Sequence, residues 1–168
     1  MLLADLQSNP RLTGTAMPVQ WATEEYFYRV DMKILVMGLP TSGKTTLAEA
    51  LARELRCVHF NADDIRKHIN KDLGFSHVDR VEQARRMGHL CDIAGKWGVP
   101  VIADFVCPTD ECRKVFGADF TIWVDRVDAG PFEDTNRLFV APTVYDARVT
   151  GDMLTYTAEE LAKRVRQW

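Results

Sequence analysis

Gly38-Leu39-Pro40-Thr41-Ser42-Gly43-Lys44-Thr45 satisfies the pattern G-x-x-x-x-G-K-S/T at every fixed position, and Thr46 follows it. Glycines at both ends let the backbone curl so that successive N–H groups face phosphate oxygens. Lys44 then reaches the β- and γ-phosphates of a nucleotide, and the Thr45 hydroxyl is offered to Mg²⁺. Residues Gly38 to Thr46 are therefore expected to bind ATP, with Lys44 also serving transfer. The guanine-reading pattern N-K-x-D is absent, and a chain of 168 residues leaves little room for the added modules of a motor. A small kinase that moves a phosphoryl group between two bound molecules is the expectation.

Carboxylates for the acceptor side lie further along. Asn61-Ala62-Asp63-Asp64-Ile65-Arg66 falls where an apolar run gives way to a helical pattern. In a parallel sheet the carboxyl ends of the strands line the ligand crevice, so Asp63 faces the phosphate loop and can orient or deprotonate a hydroxyl. Helix capping is the plainer role for Asp63 or Asp64. Asp104 stands inside the apolar run VPVIADFV, where an unpaired charge would be expensive. Two roles stay open for it, a carboxylate beside Mg²⁺ together with Thr45, or a satisfied structural aspartate.

The elements that must position these groups alternate. Short apolar runs read as strands at 33–37, 57–60, 99–106 and 119–125, with a fifth over 146–150. Helical spacing covers 45–56, the segment from Asn61 (its cap) onward, 77–97 up to Gly98, 109–116, and 157–168 with Thr157 as cap. Residues 126–145 read as polar and irregular. Strand–helix alternation predicts an α/β fold, a three-layer P-loop sandwich with a mostly parallel sheet of about five strands. Met32 opens this pattern, so residues 1–31 are read as an extension with one short helix near 22–29, and 32–168 as the kinase domain.

Composition narrows the class. A content of 46% hydrophobic and 27% charged residues excludes a largely disordered or collagen-like chain. A net charge of −3 argues against whole-surface nucleic-acid binding, while a local basic patch stays open. No apolar stretch reaches the ~20 residues that span a bilayer, and the N-terminus lacks a signal-peptide pattern, so the cytoplasm is the expected address. Cys57, Cys91, Cys107 and Cys112 form no C-x-x-C pair and the histidines no zinc spacing; Cys57 and Cys107 read as small core hydrophobes.

Between Asn70 and Arg86 runs N-K-D-L-G-F-S-H-V-D-R-V-E-Q-A-R-R. With the phosphate loop and the N-A-D-D-I-R element, this stretch resembles the adenylylsulfate (APS) kinase family, whose members carry D-G-D-N-V/I-R and then L-N-x-D-L-G-F-S-x-x-D-R-x-E-N-x-R-R. The likeness is close over residues 33–108. It implies ATP and Mg²⁺ as cofactors and adenylyl sulfate or a related small molecule as acceptor. Asp63 matches a carboxylate near the transferred group and acceptor hydroxyl. Arg66 and Arg80 match arginines that hold the acceptor's phosphosulfate, and Phe75 matches a phenylalanine stacked on its adenine. Gln83 takes the place of an asparagine in the acceptor motif. Arg137 and Phe139 stand where the family's mobile segment has lysine-x-phenylalanine. Plainer roles remain for Phe75 as a core aromatic, and for Arg66, Arg80, Arg85 and Arg86 as solvated helix charges.

Departures from the family pattern bear on substrate. Asn61 replaces the first aspartate of D-G-D, Asp64 stands for asparagine, Cys107-Pro108 for Ser-Pro, and Asp104 for a small residue. The basic lid that opens R-D-P-K-G-L-Y is represented here by the less basic, shorter segment 126–145. Three readings follow: an APS kinase; a related kinase for a different hydroxyl on a nucleotide, sugar or modified DNA; and a nucleotide-binding protein without turnover. A homodimer is compatible with each.

Overall fold

The computed structural model describes residues 32–151 and 154–168. The expected helix near 22–29 and the role of 1–31 lie outside the described residues. Strand β1 (Lys33–Met37) leads through the phosphate loop into helix α1 (Lys44–Leu55). Next come β2 (Val58–Asn61), α2 (Ala62–His68), α3 (His77–Gly95), β3 (Val101–Phe105), α4 (Asp110–Phe116) and β4 (Phe120–Val124). The chain closes with α5 (Glu133–Leu138), β5 (Ala147–Val149) and α6 (Leu154–Gln167). The five strands form one parallel sheet in the order β2-β3-β1-β4-β5.

Alternation along the strands builds two cores. Ile34 and Val36 pack with Leu47, Leu51, Leu161 and Val165 beneath α1 and α6. Leu35 and Met37 face the other way, toward Ala84, Met87, Phe116 and Trp123 beneath α3 and α4. A strand buried on both faces must be apolar at every position, which is why KILVM shows no polar alternation. Burying these side chains contributes about 1.5–3 kcal/mol each.

Local signals set the helix starts. The Asn61 side chain accepts from the backbone N–H groups of Asp63 and Asp64, and Ser76 forms a capping box with Asp79 that starts α3. Two expectations need correction. The segment 126–145 contains α5, whose acidic first turn (Glu133, Asp134) and basic last turn (Arg137) match the helix dipole. The closing helix begins at Leu154, so Thr157 lies within it instead of capping it. Among the described residues no helix is long and apolar enough to cross a membrane, and Cys57, Cys91, Cys107 and Cys112 are free thiols. Cys107 is fully buried in the core under α3 and α4, whereas Cys57 is only partly buried, against the α1 side.

Candidate active site

The phosphate loop curls because its glycines permit it. Gly38 has φ +150°, and a Cβ there would lie 2.3 Å from the Val124 carbonyl oxygen, so no other residue fits without moving β4. Gly43 adopts φ +91° at the start of α1. Lys44 is 9% exposed and donates from Nζ to the Leu39 carbonyl at 2.8 Å, which folds it back over the loop. Burial lowers the Lys44 pKa below the ordinary lysine value, opposed by the charges of Asp104 and Asp63. The Ser42 hydroxyl is buried without a hydrogen-bond partner. Arg126 reaches the loop from beyond β4, donating to the Ser42 carbonyl at 3.1 Å.

At the start of α1 the Thr45 hydroxyl donates to Asp104 Oδ2 at 2.7 Å. Asp104 is 2% exposed, yet it is fully partnered. His59 Nε2 lies 2.7 Å from Oδ1, and the Asn61 side-chain amide donates to Oδ1 at 3.1 Å and Oδ2 at 3.2 Å. The cost of burying this carboxylate is thus offset by hydrogen bonds from α1 and β2.

The acceptor-motif residues assemble on the opposite wall. With Asn61 capping α2, Asp63 is exposed and lines the cavity. Phe75 is 63% exposed, so it is no core aromatic. Its ring lies under two cations, the Arg66 guanidinium 4.8 Å and the Arg80 guanidinium 5.6 Å from its centroid. Arg66 donates to the carbonyls of Leu73 and Gly74. Burial and the neighbouring Arg80 charge lower its pKa. Arg80 donates to the Phe75 carbonyl at 2.9 Å, to Asp134 at 2.8 Å and to the Thr135 hydroxyl at 3.0 Å.

Both walls enclose one cavity of about 910 Å³, lined by Pro40, Thr41, Gly43 and Lys44 to Thr46 on one side and by Asp63, Phe75 and Arg80 on the other. Asp104, Phe132, Asp134 and Thr135 complete the lining. Of the expected residues, Gly38, Leu39 and Ser42 of the loop do not line it, nor does Arg66, which meets the lining at the Phe75 ring, and Gln83, Arg137 and Phe139 stand further apart. Gln83 is buried and ties Asn70 to the Ala62 carbonyl. Arg137 is exposed and paired with Glu133, while Phe139 packs against the core under α3 and α4. Arg85 and Arg86 bind Glu82 within α3, and Arg86 also holds Asp72, so Arg86 ties α3 to the loop that precedes it.

Sequence reasoning missed His59 and, at the start of α5, Phe132, Asp134 and Thr135. The alternation of VHFN held the first signal: Val58 and Phe60 pack toward α3, which turns His59 and Asn61 toward α1. Phe132, Asp134 and Thr135 carried only the charge asymmetry of α5.

Comparison with known proteins places the sequence and the fold. An adenylyl-sulfate kinase of Bacillus pumilus is 40% identical over 106 residues, which is 60% of this chain and 50% of that protein. The chain thus spans about half the length of the curated relatives it matches. In fold it resembles the Mycobacterium tuberculosis APS kinase CysC in complex with AMPPNP and APS, with TM-score 0.68, 24% identity, and coverage of 82% of this chain and 98% of that one. A gluconokinase from Sinorhizobium meliloti shares the fold at TM-score 0.63 and 15% identity, covering 83% of this chain and 95% of that one. The sequence profile of the adenylylsulphate kinase family matches residues 31–124, more than half of the 168. The chain therefore belongs to the adenylylsulphate kinase family.

Proposed function

We propose that the protein transfers the γ-phosphoryl group of ATP to the 3′-hydroxyl of adenylyl sulfate. One observation carries the reading: a single cavity joins Lys44 and Thr45 of the phosphate loop to Asp63, Phe75 and Arg80 of the acceptor motif. The loop N–H groups and Lys44 hold the donor phosphates, and the partnerless Ser42 hydroxyl adds a donor within the same cradle. Phe75 offers a face for the acceptor's adenine, with Arg66 and Arg80 beside it for the anionic phosphosulfate. Asp63 accepts a hydrogen bond from the acceptor hydroxyl and takes its proton as the phosphoryl group passes in line.

Thr45 and Asp104 form a hard oxygen donor set, the kind Mg²⁺ takes when substrate phosphates complete its shell, so the residues fit the ion. When bound there, Mg²⁺ neutralises charge developing on the β- and γ-oxygens. In this reading residues 126–145 form the lid and 1–31 an extension. On the same reading the protein works in the cytoplasm on a small-molecule acceptor, and light scattering decides whether it forms the homodimer.

A second reading, a different hydroxyl acceptor, is favoured by Asp134, which places an acid on Arg80 at the cavity wall. An ADP-release assay with APS, nucleosides and hydroxymethylated DNA separates the two. Release stimulated by APS above the others supports the first reading, stimulation by another acceptor the second, and no stimulation a binding protein.

A further inference from the structure

Asp104 lies in a strand whose other residues are all apolar, and the cross-strand register explains how it is held. Ile102 packs toward α1, so Asp104, two positions on, faces the same side. On β2 the alternation sends His59 and Asn61 to that side as well. Asn61 stands directly opposite Asp104, and His59 opposite Ile102, which makes His59 the diagonal neighbour of the carboxylate, within reach of a long side chain.

The hydrogen bonds divide the carboxylate between two faces. Oδ2 receives the Thr45 hydroxyl on the cavity side, whereas Oδ1 receives His59 Nε2 at 2.7 Å. Asp104 and Thr45 line the cavity; His59 does not, and its side chain is 16% exposed. His59 therefore reaches the carboxylate from behind. The Asn61 amide donates to both oxygens and also to the Thr45 hydroxyl at 3.2 Å, so it leaves rotation of the carboxylate plane undecided. Among the described residues, His59 is the side chain that bonds Oδ1 and not Oδ2.

We infer that His59 is a positioning residue for the cation: by holding Asp104 Oδ1 from behind, it keeps Oδ2 beside the Thr45 hydroxyl, where the ion of the nucleotide complex is received. The inference rests on the Mg²⁺ role proposed above for Thr45 and Asp104. Hydrogen-bonded supports behind a ligating carboxylate typically carry a factor of about 10–100 in metal affinity. In this chain the neighbouring strand supplies that support, so the phosphate-loop helix and the sheet meet at one carboxylate.

The test uses Mn²⁺ as a paramagnetic stand-in and measures, by electron paramagnetic resonance, free Mn²⁺ in titrations of the protein with ADP present. His59→Ala should weaken Mn²⁺ binding by about 10-fold or more, with binding of ADP alone unchanged. His59→Gln, which keeps a donor, should restore most of the affinity, and the Mg²⁺ concentration for half-maximal turnover should move in parallel. If His59→Ala does not fold, His59→Asn, whose amide is too short to reach Oδ1, takes its place. Wild-type Mn²⁺ affinity in the His59 variant alongside a loss in Asp104→Asn overturns the inference. Wild-type affinity in Asp104→Asn would instead overturn the cation reading on which it rests.

Discussion

The two walls of the cavity are built differently. On the phosphate side, Lys44 and Asp104 are buried, with Lys44 bonded to a backbone carbonyl and Asp104 to Thr45, His59 and Asn61. On the acceptor side, Phe75 is exposed, Arg80 pairs with the exposed Asp134, and Arg66 and Arg80 rest on an aromatic face. Buried hydrogen bonds are costly to break and hold one geometry, whereas exposed pairs contribute about 0–1 kcal/mol and exchange readily. The phosphate wall is thus preorganised; on the acceptor wall Arg80 is itself largely buried, and the exposed Phe75 and Asp134 are the parts that can exchange partners.

Substitutions can break or sharpen this contrast. The largest effects belong to the charges at the reacting centre. Lys44→Ala should lower turnover by about 10²-fold or more, the scale of removing a preorganised donor to developing charge. Its thermal melt should stay near wild type, since a buried and partly destabilised ammonium is removed with it. Asp63→Asn should lower kcat by about 10²–10⁴-fold with the Mg²⁺ requirement unchanged. Asp104→Asn should do the reverse, raising the Mg²⁺ concentration for half-maximal rate. A Mg²⁺ titration of initial rates in both variants is the check, and matching titrations would erase the distinction between transfer and cation roles.

Effects on the acceptor wall should be smaller and confined to binding. Phe75→Ala should weaken acceptor binding by about 1–3 kcal/mol, leaving the KM for ATP and the melting temperature unmoved because the ring is exposed. Calorimetric titration with the acceptor measures this. Asp134→Asn should lower the acceptor KM by about 2- to 5-fold, the worth of a partly exposed ion pair. An increase instead would make Asp134 part of the acceptor's own binding set.

The smallest effect concerns the ion pairs of Glu82 within α3. Hydrogen bonds from Arg85 and Arg86 lower the Glu82 pKa from 4.5 to about 2. A carboxylate depressed on folding contributes stability that is present above 4.5 and lost as pH falls toward about 2. Melts between those pH values should therefore fall less steeply in Glu82→Gln than in wild type.

Much of the phosphate wall was legible in the residues themselves. The loop pattern demands glycine at fixed places, and apolar runs of five residues between helical patterns can only be strands of a covered parallel sheet. Asp104 announced itself as a charge among apolar neighbours, with two roles open; its hydrogen bonds show how it is satisfied. His59 was overlooked because its partner is distant in sequence and the pairing depends on the register of β2 and β3. Helix α5 was hidden because its six residues bury little and lack apolar spacing. Asp134 meets Arg80 across 54 positions of sequence, a pairing that only the placement of this helix beside α3 creates. Phe139 shows the opposite failure: a motif-like spacing pointed to the acceptor, while its side chain packs against the core.

The central claim is that the two walls serve one transfer, from ATP to adenylyl sulfate. The most direct measurement incubates the protein with ATP, Mg²⁺ and APS and identifies the products by mass spectrometry. The expected product is APS heavier by one phosphoryl group at the 3′-position, formed in equal amount with ADP and lost in Asp63→Asn while that variant still binds ATP. Unmodified APS, with ADP formed no faster than in its absence, would contradict the claim.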